Sequence, residues 1–595
     1  MGDNNRNFIL AATLSVLVLI LWQYFYVLPR MEQEQALQQQ REQTAQTTLA
    51  RPTPSDDVAT PTPQASGADA LAPASSAGVS PRVAIDTPRL RGSIALRGGY
   101  FDDLYLKDYS ETLDSDSSQI RLLAPLNSLK PYFVAFGWTP RDGAVATPNT
   151  ETLWQAPDDA TLTIESPLRL TWDNGEGLVF ERTITIDENF IFTVTQSVTN
   201  NNDSSVELFP YGLITRHGAP EISGFFILHE GLIGIFDEEG LQEIDYDDLE
   251  DGVATKYRSN NGWLGITDKY WGTVLIPSQG GGFDARFFRE NRPGVDVYQS
   301  DYLLGSVTVE PGARASIENR LFAGAKQVAL LDNYEQAFSV PQFDLLIDWG
   351  WFYFLTKPLF LFLDYFYNLV GNFGISILLV TVCIKLAFFP LANKSYIAMS
   401  RMKKLQPEMV KLRERFPDDR ARQQQELMAL YKREKVNPMQ GCLPVLVQIP
   451  VFFALYKVLF VTIEMRHAPF YGWIQDLSAP DPTSIFNLFG LIPFEVPAFL
   501  LIGIWPLIMG ATMWAQMRMN PAPSDPIQQK IFAWMPVLFT VLLAGFPAGL
   551  VIYWAWNNFL SILQQGVIMR RQGVPIALFD NIPFLPRNKG DKTHE

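Results

Sequence analysis

Residues 373–391 read FGISILLVTVCIKLAFFPL, nineteen positions carrying a single charge, Lys385. At about 1.5 Å per helical residue, such a run reaches across the ~30 Å apolar layer of a bilayer. The flanking sequence is therefore read as that of a membrane protein, and five further apolar runs fit. Residues 8–28 carry no charge and finish in Trp22, Tyr24, Phe25 and Tyr26, side chains favoured where membrane meets water. This run is longer than a signal-peptide core and lacks a small-residue cleavage site, so it is expected to remain as an anchor over 1–28. Residues 441–461 and 498–517 supply two more spans. Residues 531–544 and 550–568 pair as a hairpin around Gly545-Phe546-Pro547-Ala548-Gly549.

Charge orients these six spans. Residues 393–440 are the most charged stretch, with 12 Lys and Arg against 6 Asp and Glu, which places them in the cytoplasm. Their Leu and Met recur at helical spacing on both sides of Pro417, predicting two amphipathic helices joined by a turn. Alternation then puts residues 464–485 outside, where Glu464, Arg466, Asp476 and Asp481 sum to −2. Both termini fall inside, and the basic tail 569–595 opens on Arg570-Arg571.

The net charge of −16 over 595 residues is unevenly spread. Residues 82–335 hold 20 Lys and Arg against 39 Asp and Glu, a net of −19, so the acidity belongs to one block. That balance argues against nucleic-acid recognition, which needs clustered cations. Cys383 and Cys442 both lie outside the block, so it folds without a disulfide. Alternating runs such as TLTIESPLRLTWDNGEGLVFERTITI, residues 161–186, predict a large extracytoplasmic β-sandwich over 82–335, with a hairpin turn at Asp173-Asn174-Gly175. Residues 29–81, rich in Gln, Ala, Thr, Ser and Pro, cannot bury enough surface to offset ordering entropy and read as a flexible linker. Residues 343–372, FDLLIDWGWFYFLTKPLFLFLDYFYNLVGN, are broken by Asp344, Asp348, Lys357 and Asp364, which predicts an amphipathic helix over 341–371 lying along the membrane surface. The expected fold class is a polytopic α-helical membrane protein with six transmembrane helices, five of them in a core over 372–568, plus the β-sandwich.

Enzymatic motifs do not emerge. There is no Gly-rich phosphate loop and no His-Glu-x-x-His, and His217, His229, His467 and His594 are far apart. No catalytic residue, metal or cofactor is assigned. Lys385 is more informative: it lies six residues before the end of its span, about 9 Å from the cytoplasmic edge. A central Lys costs ~2.5–3.5 kcal/mol, less if it snorkels. Snorkelling is one reading of it; a cation lining a wet cavity is the other. Thr381, four residues earlier, shares its face. Gln448 lies in the cytoplasmic half of the third span, and Tyr553, Asn557, Ser561 and Gln564 recur at spacings of 4, 4 and 3 in the last. Alone, such residues serve as interhelical glue. With Lys385 they suggest a groove. Met509, Met513 and Met517 recur along the fourth span; their flexible thioethers either fill a core or meet varied apolar segments.

Five strings carry a family resemblance: GNFGISILLVTVCIKLAFFPL (371–391), MSRMKKLQPEMVKLRERFPDD (399–419), ELMALYKREKVNPMQGCLPVLVQIPVFFALY (426–456), DPIQQKIFAWMPVLFT (525–540) and FPAGLVIYWAWNNFLSILQQ (546–565). The chain resembles the YidC family of membrane protein insertases, which includes the mitochondrial and chloroplast inner-membrane insertases. The resemblance implies a bacterial inner-membrane protein of Gram-negative type whose periplasmic domain is a β-supersandwich. It implies a chain that inserts and helps fold membrane proteins, alone or with the Sec translocon, making and breaking no bond. The implied partners are nascent membrane proteins, Sec translocon components, the ribosome and membrane lipids. The implied substrate groove, open to cytoplasm and lipid, holds Lys385, Thr381, Gln448, Tyr553, Trp554, Asn557 and Gln564, with Met509 and Met513 as a slide for apolar segments. Members commonly carry Arg at the place of Lys385; Lys keeps the charge and loses the two-pronged hydrogen-bonding fork. Residues 485–497, before the fourth span, look longer than in well-known members. The alternative, from another class, is a membrane-anchored carbohydrate-binding or carbohydrate-modifying protein. A transporter would need inverted repeats, which are not apparent.

Overall fold

Strict alternation over Leu178–Ile186 sends Leu178, Phe180, Arg182, Ile184 and Ile186 inward. This strand pairs with Leu168–Asp173 across the expected turn, where Gly175 takes the left-handed φ of +70° that the corner requires, and with Ile191–Asn200 on its other side. Repetition of that logic builds two sheets. One runs Gly240–Asp245, Gly231–Phe236, Gly262–Thr267, Trp271–Ile276, Arg314–Ala325, Ile191–Asn200, Leu178–Ile186 and Leu168–Asp173. The other, eleven-stranded, is centred on Val206–His217 between Val295–Leu304 and Tyr132–Pro140. Phe101 of the larger sheet meets Phe192 of the smaller with ring centroids 5.4 Å apart, edge to face, so aromatic packing closes the sandwich. Arg182 is wedged into this core. Its guanidinium donates to the carbonyls of Gly99 and Phe136 and lies over the Trp154 ring.

The computed structural model describes residues 80–574, apart from 142–144, 221–227, 293, 417–418, 435, 437–442, 489–491, 493–501 and 522–525. The expected anchor, linker and basic tail, and most of the 485–497 stretch, lie outside the described residues.

The last strand leads into α1 (Val328–Phe338), a helix inside the block read from sequence as β. After a 3-10 turn, Phe343–Leu346, come α2 (Tyr353–Val370), capped by Gly371 at φ +70°, and α3 (Phe373–Ala387), whose Asn372 side chain accepts the Ile375 N–H at 3.0 Å. α4 (Phe389–Arg415) leaves α3 at 69°. The expected straight span 373–391 is thus cut to fifteen residues. Pro390 explains the break: it has no N–H to give and biases Phe389 away from continuing the α3 backbone, yet is tolerated in the first turn of a new helix. α5 (Arg420–Arg433) follows, with the Asp419 side chain accepting the Arg422 N–H at 3.0 Å. Then come α6 (Leu443–Val461), α7 (Ile504–Met519), α8 (Pro526–Leu543) and α9 (Ala548–Arg571). Among the described residues no single helix is long and apolar enough to cross a membrane; α3 and α4 pass together as a bent pair, by length and composition. Residues 405–436 form a compact unit of their own, with Arg433 3.1 Å from Glu408 across its two helices.

Polar joints tie the sandwich to the helices. Lys457, near the end of α6, sits 2.6 Å from Asp348, which also accepts the His229 backbone N–H at 2.9 Å. Glu464, just beyond α6, accepts the Val328 N–H at the start of α1 at 3.0 Å. Arg466 donates to the carbonyls of Ser110 (2.5 Å) and Glu111 (3.2 Å), and the Lys269 ammonium stands 3.6 Å over the Phe460 ring. Lys357 of α2 pairs with Asp332 and Asp344.

Candidate functional site

Three helices supply the polar residues picked out by spacing. α3 presents Lys385 in its last turn, half-buried, and its ammonium donates to Ser561 Oγ of α9 at 2.8 Å. Ser561 in turn donates to the Asn557 carbonyl one turn back, at 2.8 Å. Among the described residues no carboxylate lies within ion-pair distance of Lys385. A cation held only by a neutral hydroxyl keeps most of its charge available to water or to an arriving anion. Gln448 of α6 donates its side-chain N–H to the Tyr553 hydroxyl of α9. The indole of Trp556 donates to the Leu378 carbonyl at 3.2 Å, pinning α9 to α3. Trp554 meets the Phe452 ring edge to face at 5.0 Å.

The polar valence of α9 is only partly used. Trp554 Nε1, Asn557 Oδ1, Asn558 Nδ2, Gln564 Nε2 and Gln565 Oε1 are all buried with no partner among the described residues. Such groups each cost of the order of 1–3 kcal/mol unless water or another chain satisfies them. A row of them along one helix leaves hydrogen-bonding capacity that an entering water or polypeptide could use.

The structure brings Lys385, Gln448, Tyr553, Trp554, Asn557 and Gln564 onto or beside the α9 contacts. Thr381 is different: it is buried and spends its hydroxyl on the Ile377 carbonyl of its own helix at 2.6 Å. Met509 and Met513, expected as a slide for apolar segments, sit between helices. Met509 is fully buried against Leu543, Val551 and Ala555, and Met513 is 6% exposed, because α7 packs against both α8 and α9. Sequence reasoning missed Asn558 and Gln565. Each is the second member of a doublet in WAWNNFLSILQQ, and with Ser561 they recur at spacings of 3 and 4, as good a helical face as the one chosen. This second face is the more buried; Gln565 donates to Asn520 Oδ1 at 3.1 Å.

Comparison with known proteins extends these observations. Residues 82–362 match the family model described as the YidC periplasmic domain, and residues 365–574 that described as the 60Kd inner membrane protein. A membrane protein insertase YidC from Bradyrhizobium diazoefficiens is 54% identical over 610 residues, covering 98% of each chain. One from Rhizobium meliloti is 53% identical over 591 residues, again covering 98% of each. A crystal structure described as active YidC insertase with the first transmembrane domain resolved aligns with 82% of this chain and 94% of its own, at 17% identity and a TM-score of 0.33, too loose to carry an argument. The carbohydrate reading gains no support from the relatives that match end to end.

Proposed function

The chain belongs to the YidC family of membrane protein insertases, whose members are inner-membrane proteins with a periplasmic domain, and from that premise we propose that the polar face shared by α3, α6 and α9 is the path taken by the incoming polypeptide. The hydrophilic flank of a nascent membrane protein enters this face from the cytoplasm. Lys385 attracts acidic residues, and the unpartnered amides of α9 accept or donate the hydrogen bonds that the flank gives up on leaving water. Both shorten the apolar barrier the flank must cross. The apolar segment then partitions into lipid beside the outward-facing Phe559, Leu563 and Val567 of α9, and that partition supplies the driving force. No bond is made or broken. In this reading six spans cross the membrane with both termini in the cytoplasm, the 393–440 hairpin meets ribosome and nascent chain, and the protein works alone or beside the Sec translocon within membrane lipid.

The observation that carries the reading is Lys385 bonded to Ser561, with no carboxylate in ion-pair contact among the described residues, beside a row of unsatisfied polar groups on α9. Photo-crosslinkers placed at Gln448 and Asn557, with Phe559 as the lipid-facing control, test it. Capture of the polar flank of a stalled nascent membrane protein is expected from the first two positions and much more weakly from the third. Equal yield at all three would overturn it.

A further inference from the structure

Apart from the helical face, the sandwich holds a cavity of about 370 Å³ on the side facing the joints. Its charges are mixed and partly spent. Arg216 is paired with Asp268 at 2.6 Å, and Glu230 accepts the backbone N–H of Lys269 at 2.9 Å. The ammonium of Lys269, the exposed Lys130 and the buried His217 ring have no carboxylate or hydrogen-bonding partner among the described residues; Lys269 meets only the rings of Tyr270 and Phe460. Burial lowers the Lys269 ammonium to about 8, against the raising effect of the Glu230 and Asp476 carboxylates, neither of which is in ion-pair contact with it. Glu111, an exposed carboxylate without a side-chain partner among the described residues, is also part of the lining.

Location narrows the ligand. Phe460 is the penultimate residue of α6, and Arg466, five residues past the end of that helix, grips the Ser110 and Glu111 carbonyls and covers the Trp271 ring of the cavity wall. With α6 read as the third span, which this inference takes from the functional reading, the cavity lies at the level of the outer headgroups. Two neighbouring loops each hold out an apolar side chain, Leu113 (54% exposed) and Leu129 (96% exposed), the latter adjoining Lys130. We propose that the cavity binds the headgroup of a zwitterionic phospholipid, an ethanolamine phosphodiester: the phosphate oxygens accept from Lys130, His217 and Lys269, and the ammonium pairs with Glu111. With Arg216 paired to Asp268 and Arg121 to Asp103, the lining offers Lys130 and Lys269 against Glu111 and Glu230, a balance that favours such a zwitterion over a purely anionic headgroup.

Native mass spectrometry of the full chain in detergent, titrated separately with short-chain phosphatidylethanolamine, phosphatidylglycerol and inorganic phosphate, tests the assignment without reference to insertion. Phosphatidylethanolamine occupancy is expected to fall at least fivefold in Lys130→Gln and in Glu111→Gln, both at exposed positions where folding is not at stake, and further in Lys269→Gln. Phosphatidylglycerol should bind more weakly to the unaltered protein and be indifferent to Glu111→Gln. Equal phosphatidylethanolamine occupancy in all variants sinks the proposal. So does binding of inorganic phosphate alone with no lipid retained, which would assign the cavity to free anion.

Discussion

Lys385 concentrates the residue-scale argument. If its charge attracts an acidic flank, Lys385→Glu should slow insertion of substrates with acidic external flanks by about tenfold, corresponding to roughly 1.4 kcal/mol. Lys385→Arg should keep the rate, and substrates with neutral flanks should barely respond. Reconstituted vesicles with a matched pair of substrates measure the difference; equal slowing of both would show that Lys385 only packs. Glu464 offers a second reading at this scale. Burial pushes its carboxyl up to about 7 from an ordinary 4.5, against the lowering effect of the Val328 N–H, and one oxygen has no partner. The folded protein thus holds a proton that the unfolded chain has released between pH 4.5 and 7, so this group's contribution to stability falls as pH rises through that window. Glu464→Gln keeps an acceptor for Val328 and removes the charge. It should raise stability by about 3 kcal/mol at pH 8 and leave it unchanged near pH 4.5, as read by thermal melting. Lys385, Gln448 and Asn557 were legible because rare polar residues in apolar runs stand out. Asn558 and Gln565 were not, since a doublet offers two faces and spacing does not say which one the neighbours cover.

Helices were legible as apolar stretches, and their limits were set by single residues that the periodicity ignores. Pro390 ends α3 early, and Gly371 closes α2 before it can merge with α3. The methionine stripe of α7 shows the other limit: period 3.6 gives a face, while the partner that buries it is remote in sequence. Gly510 is the close-approach point of that packing. A Cβ there would collide with Thr540 Oγ1 of α8, whose hydroxyl donates to the Pro536 carbonyl at 2.7 Å. Gly510→Ala is therefore expected to cost about 1–3 kcal/mol. Adding Thr540→Ala should recover most of the loss by removing the atom in the way. Melting of the two variants in detergent checks this; additive losses would place the strain elsewhere.

Across the whole molecule, alternation announced the sandwich and hydropathy the helices, but nothing in sequence announced how they meet. Lys457 and Asp348 are 109 residues apart, Val328 and Glu464 136, and Arg466 and Ser110 356. The first of these pairs is largely shielded, at 11% and 14% side-chain exposure. Without Lys457 the Asp348 carboxylate keeps, among the described residues, only the neutral N–H donors of His229 and Gly350, so Lys457→Met should destabilise by about 3 kcal/mol, whereas Lys457→Met with Asp348→Asn should cost clearly less. A double-mutant cycle on protease resistance of residues 339–352 reads the coupling; full additivity would show that the pair holds nothing together.

α6 is gripped at its outer end by Lys457 and Phe460, and half its length away it hands Gln448 to Tyr553. Pro450 lies between the two fastenings, where the helix gives up a backbone hydrogen bond. In the proposed topology, one helix therefore holds both the periplasmic sandwich and the Gln448–Tyr553 bond of the polar face.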